Sequence, residues 1–114
     1  MERKQRLRKG DDIRAVLRKG NRIDTKWFTL NYYAYGGMRS RFTSIVGRSF
    51  GMAVVRNRAK RKARHLFYSV KDHVGPACDI LLWPKERMLD DSLCQILLGL
   101  EKSLKHAGIY RKKT

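Results

Sequence analysis

The sequence predicts an α/β sandwich in which helices pack against a single sheet. Two runs of mainly aromatic or aliphatic residues, at 27–35 and 78–83, are typical of β-strands. A long segment between them, from Met52 to about Asp72, has apolar residues at spacings of three and four, which is typical of an amphipathic helix. Because strands and helices each bury one face, their combination favours one sheet covered by helices.

The first elements are a short helix and an aromatic strand. Asp11 and Asp12 can cap a helix that ends at Gly20. Alternation along the strand at 27–35 separates its side chains into two faces. One face consists of Phe28, Leu30, Tyr32 and Ala34, and the other consists of Trp27, Thr29, Asn31, Tyr33 and Tyr35. Gly36-Gly37 predicts a hairpin turn, and a second strand is expected at about 41–48.

The later elements are two helices and a buried strand. The long helix has one apolar stripe, made of Val55, Ala59, Ala63, Leu66 and Val70. Gly75-Pro76 ends it, and the strand at 78–83 is expected to lie parallel to the strand at 41–48. A closing helix from Asp90 to Ala107, with Asp90 and Asp91 capping its start, would turn five residues inward: Leu93, Ile96, Leu97, Leu100 and Leu104.

Composition points to a polyanionic partner. The 114 residues suffice for one domain, and 27 Lys and Arg against 10 Asp and Glu give a formal charge of +17. Solubility requires only roughly 2–8 charges in a small domain, so nucleic acid is the expected partner and an acidic membrane surface the competing one. No run approaches the roughly 18 apolar residues of a membrane span, and no apolar segment follows the basic start.

The cysteines and the compartment are interpreted together. Cys78 and Cys94 belong to no CxxC pair and have apolar neighbours in the sequence. We therefore expect two reduced, buried thiols in a cytoplasmic protein, with a disulfide or a metal site as the alternative.

The long helix carries the clearest functional pattern. Six cations occur between residues 56 and 64 with no acidic residue: Arg56, Arg58, Lys60, Arg61, Lys62 and Arg64. At about 100° per residue, four of them are expected opposite the apolar stripe, with Arg56 and Lys60 at its border. Arginine can bind phosphate oxygens through two hydrogen bonds, and Asn57 adds an amide. The pattern predicts an RNA-binding face; a solvated face without a partner is the alternative.

Residues for protein-based hydrolysis are not grouped in the sequence. The carboxylates are scattered, and His65, His73 and His106 form no HxxxH or Cys/His spacing. His65 lies among the helix cations, where we expect it to face RNA. The sequence therefore predicts no catalytic residue in this chain.

The segment FGMAVVRNRAKRKARHLF resembles the signature of the bacterial ribonuclease P protein family, in which R-N-R is followed by K-R and a further R. RLRKGDDIRAVLRKG resembles the family's opening, RFTSIVGRSFG its strand before the long helix, and CDILLWPKERM the strand and loop after it. The resemblance covers about residues 6–107 in the same order.

The resemblance implies a fold and a function. The fold would be a mixed sheet of three to four strands in the order αβββαβα, with a left-handed βαβ crossover and a single domain over residues 1–114. Its basic, flexible ends would lie at about 1–6 and 109–114. The chain would be the accessory protein of ribonuclease P, binding the catalytic RNA and precursor tRNA during tRNA 5′ maturation. Cleavage would be performed by the RNA with Mg²⁺. The protein would have no membrane partner and no DNA partner.

Site residues follow from the same resemblance. The residues expected to contact the RNA subunit are Arg48, Arg56, Asn57, Arg58, Lys60, Arg61 and Arg64. A cleft between the first helix and the sheet would hold the 5′ leader, with candidates Ile13, Leu17, Trp27, Asn31, Tyr33 and Tyr35. The family often has Phe at the positions of Ile13 and Leu17 and Tyr near Asn31. Trp27, Tyr33 and Tyr35 are therefore the candidates to replace the missing rings.

Two other classes remain open at this point. A ribosomal or other structural RNA-binding protein would explain the charge equally well. A DNA-binding protein using the long helix is the second, although neither a turn–helix pair nor heptads accompany that helix.

Overall fold

The structure is a computed structural model that describes residues 10–35, 40–47, 50–75 and 77–111. Its elements are α1 (Gly10–Lys19), β1 (Asn21–Asp24), β2 (Phe28–Ala34), β3 (Arg41–Ser44), α2 (Ala53–Val70), β4 (Cys78–Pro84), α3 (Arg87–Asp90) and α4 (Leu93–His106). The order αβββαβα is confirmed, with the short helix α3 in addition. The Gly36-Gly37 turn lies outside the described residues.

The four strands form one mixed sheet in the order β1-β2-β4-β3. The β1–β2 and β2–β4 pairs are antiparallel, whereas β3 and β4 are parallel and joined through α2. The single mixed sheet and its parallel pair are therefore confirmed. The hand of the β3-α2-β4 crossover stays a prediction.

The sheet separates two apolar clusters. Phe28 and Leu30 of β2 and Ile80 and Leu82 of β4 are buried in the main core, together with side chains of α2 and α4. The alternate residues of the same strands face the other way. There Leu81 of β4 packs with Val16 of α1 and with the half-buried Ile13, Tyr33 and Ile45. The helix α1 thus covers the face opposite to α2 and α4, and the two-faced prediction for β2 from Phe28 onward is confirmed.

The apolar stripe of α2 lies in the core as predicted. Ala59, Ala63, Leu66 and Val70 are buried and Val55 is half-buried. The neighbouring Phe67 is buried as well, and its ring lies 5.0 Å from that of Phe42 in β3. Each large apolar side chain buried in this way stabilises the fold by about 1.5–3 kcal/mol, so packing fixes the rotation of α2 about its axis.

The closing helix begins later than predicted. Ser92, not an aspartate, caps α4: its hydroxyl accepts a hydrogen bond from the backbone N–H of Gln95. Leu93 is 38% exposed, so its predicted inward position is wrong, whereas Ile96, Leu100 and Leu104 are buried. Asp91 ends α3 instead of starting α4.

The C-terminal end and one of the two cysteines also need correction. Ile109 is buried in the main core and Tyr110 forms a β-bridge with Val74, so the flexible C-terminal end does not begin at residue 109. Residues 1–6 and 112–114 lie outside the described residues. Neither cysteine forms a disulfide, and Cys78 is buried as predicted, but Cys94 is exposed, contrary to the prediction.

Trp27 connects the start of β2 to α4. Its indole N–H donates to the Oδ2 atom of Asp91 at 2.7 Å, and a Cβ added at Gly99 would lie 2.2 Å from its ring. This hydrogen bond, with a second one from Arg87, lowers the pKa of the Asp91 carboxyl. The predicted place of Trp27 on the same face as Asn31 is wrong, because a turn at Thr25 precedes β2 and breaks the alternation.

Gly99→Ala tests this contact, because two effects on α4 have opposite signs. Helix propensity alone would stabilise an alanine in mid-helix by about 1 kcal/mol. We expect instead that the free energy of unfolding falls by about 1–3 kcal/mol, since the methyl group displaces the Trp27 ring. Denaturant unfolding measures the change, with Leu98→Ala at the exposed neighbour as the control. A stabilised Gly99→Ala variant would contradict the contact.

Candidate nucleic-acid interface

One side of α2 is a cationic surface, here called the α2 face. With 18 residues, α2 is about 27 Å long. The exposed polar and charged residues of the face are Asn57, Arg58, Lys60, Arg61, Arg64 and His65. Arg56 is half-buried at its border, and its Nε atom is buried without a hydrogen-bond partner among the described residues. The helix, and the exposure of these residues opposite the buried stripe, are as the sequence predicted.

The positive charge of the α2 face is not neutralised within the described part of the fold. The ion pairs formed between described residues involve Arg14, Arg41, Lys85 and Arg87, none of which lies in α2. The helix itself contains no acidic residue. Since like charges four residues apart destabilise a helix, α2 retains a repulsion that its buried stripe must offset. A polyanion bound to the face would remove that repulsion.

Lys62 does not belong to the α2 face. Its side chain is half-buried, and its Nζ atom donates to the backbone carbonyl oxygen of Asp91 at 2.7 Å. The position lies only about 60° from the centre of the apolar stripe at 100° per residue, so its predicted place opposite the stripe is wrong. Lys62 instead holds α2 against the connection between α3 and α4.

At the C-terminal half of the α2 face, four side chains surround a shallow depression of about 390 Å³. They are Arg61, Arg64, His65 and Tyr68. The tyrosine was not among the predicted site residues, although its spacing of seven from Arg61 places it on the same side of the helix.

A second candidate surface is a groove of about 510 Å³ beside the end of α1, here called the α1 groove. Its lining residues are Leu17, Gly20, Arg22, Thr29, Asn31 and Trp83. A Cβ added at Gly20 would lie 2.4 Å from the carbonyl oxygen of Tyr32 and 2.5 Å from that of Val16. Only glycine therefore allows the chain to leave α1 so close to β2, and this close passage defines one wall of the groove.

Trp83 orients the amide of Asn31 in the α1 groove. The indole nitrogen can only donate, so the oxygen 2.6 Å away must be the amide carbonyl, Oδ1 of Asn31. The Nδ2 atom of Asn31 has no hydrogen-bond partner among the described residues and is not among their buried unpaired atoms, so it is open to solvent. The groove thus presents an aromatic ring, an amide donor and, opposite Asn31 on β1, the cation of Arg22.

A buried ion pair holds α1 next to this groove. Arg41 on β3 donates from Nε and Nη2 to both carboxylate oxygens of Asp79, each at 2.7 Å, and Asp79 is 2% exposed. The Nη1 atom of Arg41 also donates to Asp12 of α1 at 3.2 Å. The hydrogen bonds to Asp79 raise the pKa of Arg41. Removing one partner of such a buried pair costs about 3–5 kcal/mol, so this arginine serves the fold.

The predicted leader residues are separated by the structure. Leu17, which is 46% exposed, and Asn31 line the α1 groove. Ile13 and Tyr33 pack beneath α1 next to it, and the ring of Tyr35 lies under the Arg41 guanidinium at 4.1 Å. Trp27 lies on the other face of the sheet, against α4.

Four of the six groove residues were not predicted as site residues, and one predicted residue cannot be placed; the four are Gly20, Arg22, Thr29 and Trp83. Trp83 was taken as part of a continuous apolar run; the register pairs it with Thr29, two residues from Asn31, so all three lie on the same face of the sheet. Arg22 was missed because β1 is short and polar. Arg48 lies outside the described residues.

Two further features of the described residues bear on partners. None of their helices is long and apolar enough to cross a membrane. Within 10–35, 40–47, 50–75 and 77–111, no group of three or more His, Cys, Asp or Glu residues is close enough to hold a metal ion.

Comparison with known proteins gives one consistent result. A family model described as Ribonuclease P matches residues 1–108. The ribonuclease P protein component of Shouchella clausii is 30% identical over 110 residues, which cover 96% of this chain and 90% of that protein. The protein component of Staphylococcus haemolyticus is 29% identical over 113 residues, with 99% and 98% covered.

Solved structures agree with the sequence matches. A mutant of the Staphylococcus aureus RNase P protein with defective mRNA degradation activity is similar with a TM-score of 0.83 and 29% identity, covering 96% of this chain and 93% of that chain. The RNase P protein from Thermotoga maritima is similar with a TM-score of 0.77 and 26% identity, covering 89% and 96%.

Arg61→Ala tests whether the α2 face touches phosphate. Each cation that contacts a phosphate releases condensed counterions, so its loss flattens the plot of log K against log salt by roughly one unit. We expect this change, together with weaker binding, in a titration with structured RNA at several salt concentrations. Lys102→Ala removes the same charge from α4 and should leave the slope unchanged. Equal slopes for both variants and the original protein would mean that Arg61 touches no phosphate.

Proposed function

The chain belongs to the ribonuclease P protein family, and from this premise we propose which RNAs it binds and through which surfaces. Its function is that of the protein component of ribonuclease P: it binds the RNA of the ribonucleoprotein in the 5′ maturation of tRNA. We propose that the α2 face binds the RNA subunit and that the α1 groove binds the 5′ leader of precursor tRNA.

The assignment of the α2 face to the RNA subunit rests on one observation. A row of cations without acidic partners among the described residues is exposed along a helix whose opposite side is buried in the core. The residues proposed to bind are Arg56, Asn57, Arg58, Lys60, Arg61 and Arg64. Because the helix backbone that carries this row is already packed on the core, binding requires ordering of the side chains but not of the backbone. Arg48 is added on the family resemblance alone.

The assignment of the α1 groove to the leader rests on its mixed chemistry. A single-stranded segment presents unpaired bases and phosphates together, and the groove offers a ring at Trp83, an amide donor at Asn31 and a cation at Arg22. Stacking of one base on an aromatic ring contributes about 1–3 kcal/mol. In this proposal Trp83, not Trp27, supplies the ring that the residues at Ile13 and Leu17 lack.

The proposed contribution of the chain to cleavage is electrostatic. Where the RNA subunit and precursor tRNA meet, their phosphates repel each other, and the cations of the α2 face and of Arg22 reduce this repulsion. Cleavage is proposed to be performed by the RNA subunit with its own Mg²⁺ ions, and the protein is expected to lower the Mg²⁺ concentration required. The proposed compartment is the cytoplasm.

Reconstitution tests the proposed function. Cleavage of precursor tRNA by the RNA subunit is measured across Mg²⁺ concentrations with and without the protein. We expect the protein to restore cleavage at low Mg²⁺, where the RNA alone is inactive, because protein cations replace part of the counterion requirement. The matched control is the protein with Arg58, Arg61 and Arg64 changed to alanine. An RNA whose cleavage at low Mg²⁺ is unchanged by the protein would contradict the proposal.

The leader assignment is tested by Trp83→Ala and Trp83→Phe in the reconstituted holoenzyme. We expect Trp83→Ala to weaken binding of precursor tRNA on the order of tenfold, because the stacking ring is lost. Trp83→Phe, which retains a ring but not the donor to Asn31, should weaken it less. Binding of mature tRNA, which has no leader, serves as the control and should not change. Equal losses for precursor and mature tRNA would contradict leader binding in the α1 groove.

A further inference from the structure

Tyr68 is an aromatic residue on the α2 face that the fold does not explain. It is 62% exposed and belongs to neither apolar cluster. In the same turn of α2, the aromatic residue that packs in the core is Phe67, whose ring contacts Phe42. The Tyr68 side chain is held instead by a surface contact: the Nζ atom of Lys71 lies 4.5 Å from the centre of its ring. An exposed aromatic ring therefore lies on the outside of the helix, beside a lysine.

The neighbours of Tyr68 on this surface are cationic. Arg64 and His65 lie one turn before it and Arg61 lies two turns before it, and these four side chains surround the depression of about 390 Å³. Seven residues of helix correspond to about 10 Å, so the ring and both guanidinium groups can contact adjacent parts of one bound strand. No acidic residue occurs in α2.

The chemistry of this cluster differs from that of a phosphate site. Guanidinium groups bind phosphate oxygens, but a phenol ring cannot neutralise charge; beside phosphates it can stack on a nucleobase. Bases within an RNA duplex are stacked on each other, and the deep, narrow major groove keeps side chains from them. The outer surface of an α-helix is too wide and convex to enter that groove. A ring on this surface can therefore reach only a base that is unpaired.

We propose that Tyr68, Arg61, Arg64 and His65 form a binding site for an unpaired nucleotide of the RNA subunit. The base stacks on the ring of Tyr68, and its flanking phosphates lie against Arg61 and Arg64. This inference rests on the proposed contact between the α2 face and that RNA. It adds that the α2 face recognises a single-stranded bulge or loop, whereas a purely electrostatic surface would bind any RNA backbone.

The two parts of the site are expected to respond differently to salt. Phosphate contacts release counterions and weaken as salt rises, whereas base stacking releases none and is independent of salt to first order. Affinity of the purified, full-length protein for ribonuclease P RNA is therefore measured over a series of salt concentrations, with Tyr68→Ala, Tyr68→Phe and Arg61→Ala.

We expect Tyr68→Ala to lose affinity on the order of tenfold with an unchanged salt slope. Tyr68→Phe keeps the ring and should bind almost as the original protein does. Arg61→Ala should flatten the slope by roughly one unit. Leu98→Ala removes another side chain that is 62% exposed, from α4, and should change neither quantity. Thermal unfolding of each variant is measured as a control, and we expect the fold to be retained because the substitutions are at exposed positions.

A second RNA and a footprint separate the outcomes. A fully paired, blunt-ended RNA duplex without a loop or bulge should bind the original protein and Tyr68→Ala equally well, because it offers no unpaired base to the ring. On ribonuclease P RNA, a base-specific chemical probe should find at least one unpaired base that the original protein protects and Tyr68→Ala does not.

Three results would overturn the inference. These are full affinity of Tyr68→Ala for ribonuclease P RNA, an equal loss on the fully paired duplex, or identical footprints of the two proteins. If Arg61→Ala still flattens the slope in these cases, the proposed contact of the α2 face with RNA stands and only the nucleotide site fails. If neither Tyr68→Ala nor Arg61→Ala changes binding, the proposed contact fails as well.

Discussion

Burial of the apolar stripe of α2 is the constraint on which the rest of the molecule depends. Ala59, Ala63, Leu66 and Val70 face the sheet and are withdrawn from water. Because the periodicity of a helix fixes where every other side chain points, the arginines of the α2 face can lie only on the outside. The free energy of burial also offsets the mutual repulsion of those arginines. The same packing therefore builds the core and holds an unneutralised row of cations in place.

The sheet divides the remaining functions between its two faces. Alternation along β2 and β4 sends Leu30 and Leu82 into the core with α2 and sends Asn31 and Trp83 into the α1 groove. Not every cation contributes to binding: Arg41 is engaged by Asp79, and Lys62 holds the connection between α3 and α4. The chain thus carries two chemically different surfaces that we propose bind RNA, one a row of guanidinium groups and the other a groove with a ring and an amide.

The sequence predicted what depends on regular periodicity and missed what depends on tertiary contacts. The stripe of α2, the two faces of β2 and the parallel β3–β4 pair follow from spacing and were confirmed. The strand β1 is short and polar, so it has no apolar pattern that would predict it. Its place at the sheet edge is set by its pairing with β2. Trp27 was expected in the leader cleft and Trp83 in a buried strand. A turn at Thr25 instead directs the Trp27 ring to α4, and the Trp83 ring lines the α1 groove. Contacts between residues more than fifty positions apart carry no local signal.

A comparison of variants with equal net charge tests the central claim, that the location of the cations and not their number binds the RNA subunit. One variant changes Arg58, Arg61 and Arg64 to Glu on the α2 face; the other changes Lys26, Lys102 and Lys105 to Glu on and near α4. Affinity for ribonuclease P RNA should fall by roughly two orders of magnitude or more in the first and only slightly in the second. Equal losses in the two variants would mean that RNA responds to the overall charge alone, and the account of α2 would be wrong.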